Sequence, residues 1–238
     1  MVKRILCFGD SNTWGYIPAK GTRYPYELRW TGVAAKKLDT AFTIIEDSIS
    51  GRTTIYEDDQ KPNRCGLKNL GYTILAHFPF DLIVLFLGTN DLKFTDIGGY
   101  QRGMRDLIDT IYQAEELFQM KVPAFQGEKK ILLIAPPVIA PEIEYLRPEH
   151  QLAHAASESR KLQHAAAQVA QEKGTWFLDA SRLVSPSLED CLHLSQKAHQ
   201  VLGNAIADKI LQVFQITPQA ESSSTDGAID LTLNKRKI

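Results

Sequence analysis

Arg4-Ile5-Leu6-Cys7-Phe8-Gly9-Asp10-Ser11-Asn12-Thr13-Trp14-Gly15 is the stretch that decides how this chain folds. Arg4 to Phe8 is a short run rich in apolar residues, closed by glycine and then by polar residues. A run without strict alternation suits a strand covered on both faces. Four further runs repeat the pattern: Phe42 to Glu46, Leu82 to Leu87, Ile131 to Ala135 and Trp176 to Leu178. Between them lie segments of helical periodicity, at Thr31 to Leu38, Leu67 to Phe78, Tyr100 to Phe118 and His150 to Lys173. A last helix is predicted from Ser195, a natural N-cap, to about Phe214, with Ala198, Val201, Leu202, Ala205, Ile206 and Ile210 on one face. Strand and helix alternate throughout, which predicts an α/β fold with a doubly wound parallel sheet and helices on both faces.

The 238 residues suffice for one such domain, and 44% hydrophobic with 23% charged residues is ordinary globular composition. A net charge of -1 gives no basic field for nucleic acid or an acidic membrane, so neither is expected as a partner. Cys7, Cys65 and Cys191 are too few, and odd in number, for a disulfide framework. Lys3-Arg4 before an apolar run looks superficially like the start of an export signal. That run is too short for a signal core and no small-x-small cleavage site follows, so it reads better as a buried strand. No stretch is long enough to span a bilayer, and the expected location is cytoplasmic. Pro136, Pro137, Pro141 and Pro148 mark a loop, or partial lid, after the fourth strand. The domain is expected over residues 1–216, with 217–238 a polar tail. Within that tail, Ile229 to Leu233 could add an edge strand or meet another subunit, which leaves a homo-oligomer open.

Ligands of open parallel sheets bind beyond the carboxyl ends of the strands, so the residues after each strand carry the functional information. They are Gly9-Asp10-Ser11-Asn12 after the first, Ser50-Gly51-Arg52 after the second, Gly88-Thr89-Asn90-Asp91 after the third, and Asp190-Cys191-Leu192-His193 before the last helix. Together they supply a hydroxyl, a small residue with an open backbone N–H, a side-chain amide and an Asp/His pair. An acyl-transfer site needs those parts. Each alone is weak, since Gly-Asp-Ser and Gly-Thr-Asn-Asp are also good turn sequences and His193 could be an ordinary surface histidine. Their order, each after its own strand, favours a site in which Asp190 holds one imidazole nitrogen of His193 while the other faces Ser11.

These four blocks resemble those of the GDSL/SGNH hydrolase superfamily, from about Lys3 to Phe214. Arg29-Trp30-Thr31-Gly32-Val33, Ser50-Gly51-Arg52-Thr53-Thr54 and Ala135-Pro136-Pro137 further resemble its bacterial arylesterase and acyltransferase branch. The resemblance implies a three-layer α/β/α sandwich with a five-stranded, flavodoxin-like parallel sheet and a serine esterase acting on small acetyl or aryl esters through an acyl-enzyme. It implies Ser11 as nucleophile, His193 as general base and acid, and Asp190 as the residue that orients it. The oxyanion hole would comprise the N–H groups of Ser11 and Gly51 and the Asn90 side chain. Asn12 stands where the older GDSL name has leucine. Acyl transfer to an alcohol is a further implied activity.

The expected partner is a small-molecule ester, with no cofactor and no metal. Trp14, Trp30 and Phe94, with Tyr16 beside them, are candidates to shape an apolar acyl pocket, and Arg52 to narrow it or bind a polar substrate. His150 and His154 share helical spacing but lack a third ligand, so a solvated helix face is the simpler reading. Cys191 is expected to pack. Neither dinucleotide nor P-loop glycine motifs occur, and no Gly-x-Ser-x-Gly elbow is present. The rival readings are a carbohydrate deacetylase or thioesterase with the same residues, and an inactive binding module on this fold.

Overall fold

The computed structural model describes residues 1–215; the expected tail at 217–238, with its run Ile229 to Leu233, lies outside the described residues. Five strands, β1 (Lys3–Gly9), β2 (Phe42–Ser48), β3 (Leu82–Phe86), β4 (Ile131–Ala135) and β5 (Trp176–Asp179), form one sheet in the order β2-β1-β3-β4-β5. Every pairing is parallel, with Leu6 of β1 opposite Ile45 on one side and Ile83 on the other. The order reverses at β1 and β3, which is the switch point of a flavodoxin-like sheet.

Nine helices connect and flank the strands: α1 (Ser11–Trp14), α2 (Trp30–Leu38), α3 (Gly66–His77), α4 (Ile97–Tyr112), α5 (Ala114–Leu117), α6 (Ile143–Leu146), α7 (Ala156–Ser159), α8 (Leu162–Lys173) and α9 (Gln196–Val213), among the described residues. Successive strand residues point to opposite faces, so each strand feeds two cores. Ile5, Cys7, Leu82, Val84, Leu132 and Ile134 pack with residues of α2 and α9, including Trp30, Ala34, Leu202 and Ile206. Leu6, Phe8, Ile83, Leu85 and Leu133 pack with Leu70 of α3, Met104 and Leu107 of α4, and Leu162 and Val169 of α8. The three layers follow from that division. α2 and α9 meet closely because Gly203 has no side chain: a Cβ there would stand 2.6 Å from the Trp30 carbonyl.

Two helical expectations are corrected. Tyr100 to Phe118 is not one helix: α4 starts earlier, at Ile97, where the Asp96 carboxylate accepts the Gly99 N–H at 2.9 Å, and α5 follows as a separate turn. His150 to Lys173 is also broken, into a 3₁₀ turn at Ala153–Ala155, then α7, then α8. The break falls at buried Ser159, whose hydroxyl donates to the Ala156 carbonyl at 2.7 Å and accepts the Ile139 N–H at 3.0 Å. A serine that bonds its own preceding turn and a neighbouring loop competes with helix continuation. It also anchors the proline-rich loop after β4.

Candidate active site

Ser11 begins a single helical turn as soon as β1 ends. Asp10 caps that turn, its Oδ1 accepting the Asn12 N–H at 2.9 Å, and Gly15 closes it at φ 84°. The Ser11 side chain is thereby aimed beyond the carboxyl edge of the central strand, in a residue only 8% exposed.

His193 arrives from the other end of the chain, in the loop before α9. Its Nε2 lies 3.0 Å from Ser11 Oγ and its Nδ1 lies 2.7 Å from Asp190 Oδ2. Asp190 also accepts the Ala19 N–H on Oδ2, and the Leu192 and His193 N–H groups on Oδ1, at 2.9–3.1 Å. Burial alone would raise this carboxyl, but the His193 ring and the N–H donors outweigh it and hold Asp190 below the usual carboxylate range. An ionised Asp190 is only an acceptor, so Nδ1 carries the imidazole proton and Nε2 is left to accept from the Ser11 hydroxyl. Tyr16 stacks on the His193 ring at 4.1 Å between centroids.

Asn12, the residue after the serine, ties these two segments together. Its Oδ1 accepts the Leu194 N–H at 3.1 Å and its Nδ2 donates to the Leu192 carbonyl at 3.4 Å. The histidine loop is therefore clamped on both sides of His193 by the neighbour of Ser11. Within that loop Cys191 is fully buried at φ 65°, its N–H on the Ser187 carbonyl and its own carbonyl accepting from Ala140. It packs, as expected.

Gly51 and Asn90 complete the edge. Gly51 follows β2 with φ 88°, a backbone conformation that costs glycine little. Among the described residues, neither its N–H nor that of Ser11 is taken by a backbone carbonyl. The Asn90 amide donates to the Arg52 carbonyl at 3.2 Å and to Asp10 Oδ2 at 3.4 Å. Burial pushes Asp10 up to about 6 against the pull of the Asn12 N–H. Asp91 joins the two blocks, accepting the Thr54 N–H at 3.0 Å and its hydroxyl; burial pushes this carboxyl up to about 7 despite those bonds. Asp10, Asp91 and Asn12 hold the blocks together in a way that a reading of separate blocks does not reveal, because these partners lie 37–182 residues away.

Ser11, Gly51, Asn90 and His193 open into one cavity of about 330 Å³, also lined by Tyr16, Lys61, Lys93, Arg147, His150, Leu152 and Leu192. The four expected substrate contacts do not line it. Trp30 is in the core, edge-on to Phe86, with its backbone N–H donating to His199 Nδ1. Arg52 is 1% exposed and turned inward, bonded to the Asp47 carboxylate and to the carbonyls of Gly9 and Asp47, with its guanidinium 3.9 Å from the Phe8 ring centre. Trp14 lies beneath the Arg23 guanidinium, and exposed Phe94 stacks on Tyr56. The expected apolar, aromatic pocket is replaced by a polar one. His150 lines this cavity and accepts the Leu152 N–H on Nδ1, and no cluster able to hold a metal occurs among the described residues.

Known proteins share this fold. The GDSL-like lipase/acylhydrolase family matches residues 7–201. Est24, a carbohydrate acetylesterase from Sinorhizobium meliloti, is similar in structure with a TM-score of 0.80 and 33% identity, over 89% of this chain and 100% of that one. The aryl esterase of M. smegmatis is similar with a TM-score of 0.80 and 32% identity, over 91% of this chain and 100% of that one. No curated protein matches the sequence. With its matched span running from β1 into the last helix, the chain belongs to the GDSL-like lipase/acylhydrolase family.

Proposed function

We propose that this protein is a serine esterase that hydrolyses small carboxylic esters through an acyl-enzyme. The observation that carries this is the Ser11–His193–Asp190 relay, at 3.0 and 2.7 Å, opening into a cavity with the N–H groups of Ser11 and Gly51 and the Asn90 amide. His193 Nε2 takes the hydroxyl proton as Ser11 Oγ bonds to the ester carbonyl carbon. The C–O bond to the alcohol then breaks, and His193 returns the proton to the departing alcohol. Water repeats the sequence: His193 takes its proton, the acyl–Ser11 bond breaks, and the carboxylic acid leaves. The N–H groups of Ser11 and Gly51 receive the negative oxygen of each tetrahedral state, joined by the Asn90 amide as it gives up its long 3.4 Å contact to Asp10. Asp190 stays ionised and stabilises the imidazolium that forms.

The polar cavity favours an ester of a hydrophilic alcohol, and the similarity to a carbohydrate acetylesterase supports an acetylated sugar as a second reading within the same chemistry. It also favours water over an apolar alcohol as acyl acceptor, so vinyl acetate with benzyl alcohol should give mainly acetate. Three free, buried thiols among the described residues, Cys7, Cys65 and Cys191, fit a reducing cytoplasm. No helix among the described residues is long and apolar enough to cross a membrane. The test is turnover of p-nitrophenyl acetate together with covalent labelling by a fluorophosphonate. Wild type should do both and folded Ser11→Ala neither. Undiminished turnover in Ser11→Ala would remove the assignment, and absence of labelling in wild type would favour an inactive binding module.

A further inference from the structure

The cavity beside Ser11 has a charge of one sign. Lys61 enters from the loop after β2, Lys93 from the turn that carries Asn90, and Arg147 with His150 from the loop after β4. Among the described residues no Asp or Glu lines the cavity. Among the described residues neither Lys61 nor Lys93 has a carboxylate within ion-pair distance, and Arg147 meets only exposed Glu149, at 3.9 Å. Asp58, Asp10 and Asp91 lie near enough to Lys93 to raise its ammonium, but none of the three lines the cavity. Asp10 and Asp91 are buried with their carboxyls pushed up to about 6 and about 7, and Asp58 spends Oδ1 on the N–H groups of Gln60 and Lys61. The cations also act on one another. Burial first, and then Lys61, lowers the Lys93 ammonium; burial, then Arg147, Lys93, His193 and Lys61, lowers the His150 imidazole.

Three loops that bring like charges together and leave Lys61 and Lys93 without an ion pair among the described residues hold an arrangement that an apo protein gains nothing from. Like charges crowded in a partly desolvated cleft cost free energy, which a bound anion recovers. We infer that the ester this site takes carries a negatively charged group, a carboxylate or another oxyanion, which Lys61, Lys93 and Arg147 bind while the ester carbonyl lies at Ser11. The inference rests on the esterase reading and narrows its substrate class to anionic esters, such as an acetylated hydroxy acid or acidic sugar. A field confined to helping the oxyanion of every ester would make no distinction between charged and neutral substrates. An anion-binding wall does.

Matched pairs decide it. p-Acetoxybenzoate and its methyl ester differ by one charge on the alcohol side; mono(p-nitrophenyl) succinate and its methyl ester differ by one on the acyl side. In at least one pair, kcat/KM at low salt should favour the anion by about tenfold or more, the change that corresponds to ~1.4 kcal/mol. That ratio should shrink as salt screens the field. Lys61→Gln, Lys93→Met and their double variant should bring the ratio toward one, while Lys93→Arg retains it. Lys61 is exposed, so its substitution reports on charge with little effect on folding. A salt-independent ratio near or below one in both pairs, with Ser11-dependent turnover of the neutral members, overturns the inference and leaves the esterase reading standing. Loss of all turnover and of fluorophosphonate labelling in wild type takes both down.

Discussion

Ser11 as a free hydroxyl is a poor nucleophile, and its proposed reactivity depends on what stands around it. The N–H donors are the largest such contribution, because they act where charge appears in the transition state. Asn90→Ala is expected to lower kcat for p-nitrophenyl acetate by about 100- to 1,000-fold with a smaller change in KM, measured on protein whose melting temperature is also recorded. Cys191→Ala should keep most of the wild-type turnover, since the thiol is buried in the core; a loss as deep as that of Ser11→Ala would make the thiol the nucleophile. His199 supplies a pH test. Burial, with His193 and Arg29 nearby, lowers it to about 4, so the folded state keeps the ring neutral to accept the Trp30 N–H. The unfolded chain takes up a proton near the ordinary value of about 6.5, well before the folded one. Stability from this residue is full above about 6.5 and is lost as pH falls toward about 4. Urea unfolding at steps across that window should show a slope that His199→Gln flattens.

At the level of elements, the clamp from Asn12 to Leu192 and Leu194 joins the serine turn to the histidine loop. Asn12→Leu removes both bonds and leaves a buried carbonyl and N–H without partners, at a cost of about 1–3 kcal/mol. We expect a lower kcat with KM little changed, and partial recovery in Asn12→Asp, which keeps the acceptor for Leu194. All five strands were legible from their apolar runs, each to within two residues, because burial on both faces imposes a composition on them. That Ser11, Gly51, Asn90 and His193 would meet was legible too, since a parallel sheet gathers the ends of its strands at one edge. The cavity wall was not. Lys61, Lys93, Arg147 and His150 are brought together by loop packing that leaves no period in the sequence. Trp30 and Arg52 were misplaced for a related reason: position after a strand says where a residue begins, but a long side chain can turn back into the core. Ser159 shows the same limit for helices, where a contact to Ile139 overrides the periodic pattern.

The molecule as a whole is two apolar layers sharing one sheet, so its stability should respond most to the strands that serve both. Leu85 on β3 is fully buried, and Leu85→Ala should lower the free energy of unfolding by about 2–5 kcal/mol in a single cooperative transition followed by circular dichroism. Separate transitions for the two layers would contradict a shared sheet. The clamp of Asn12 on a loop some 180 residues further along has another consequence, one of timing. A ribosome delivers Ser11 long before His193, so a growing chain can assemble β1 through β4 around a serine that has no base. On the proposed mechanism hydrolysis waits for His193 to emerge, and a product terminated before it carries the hydroxyl as an inert passenger.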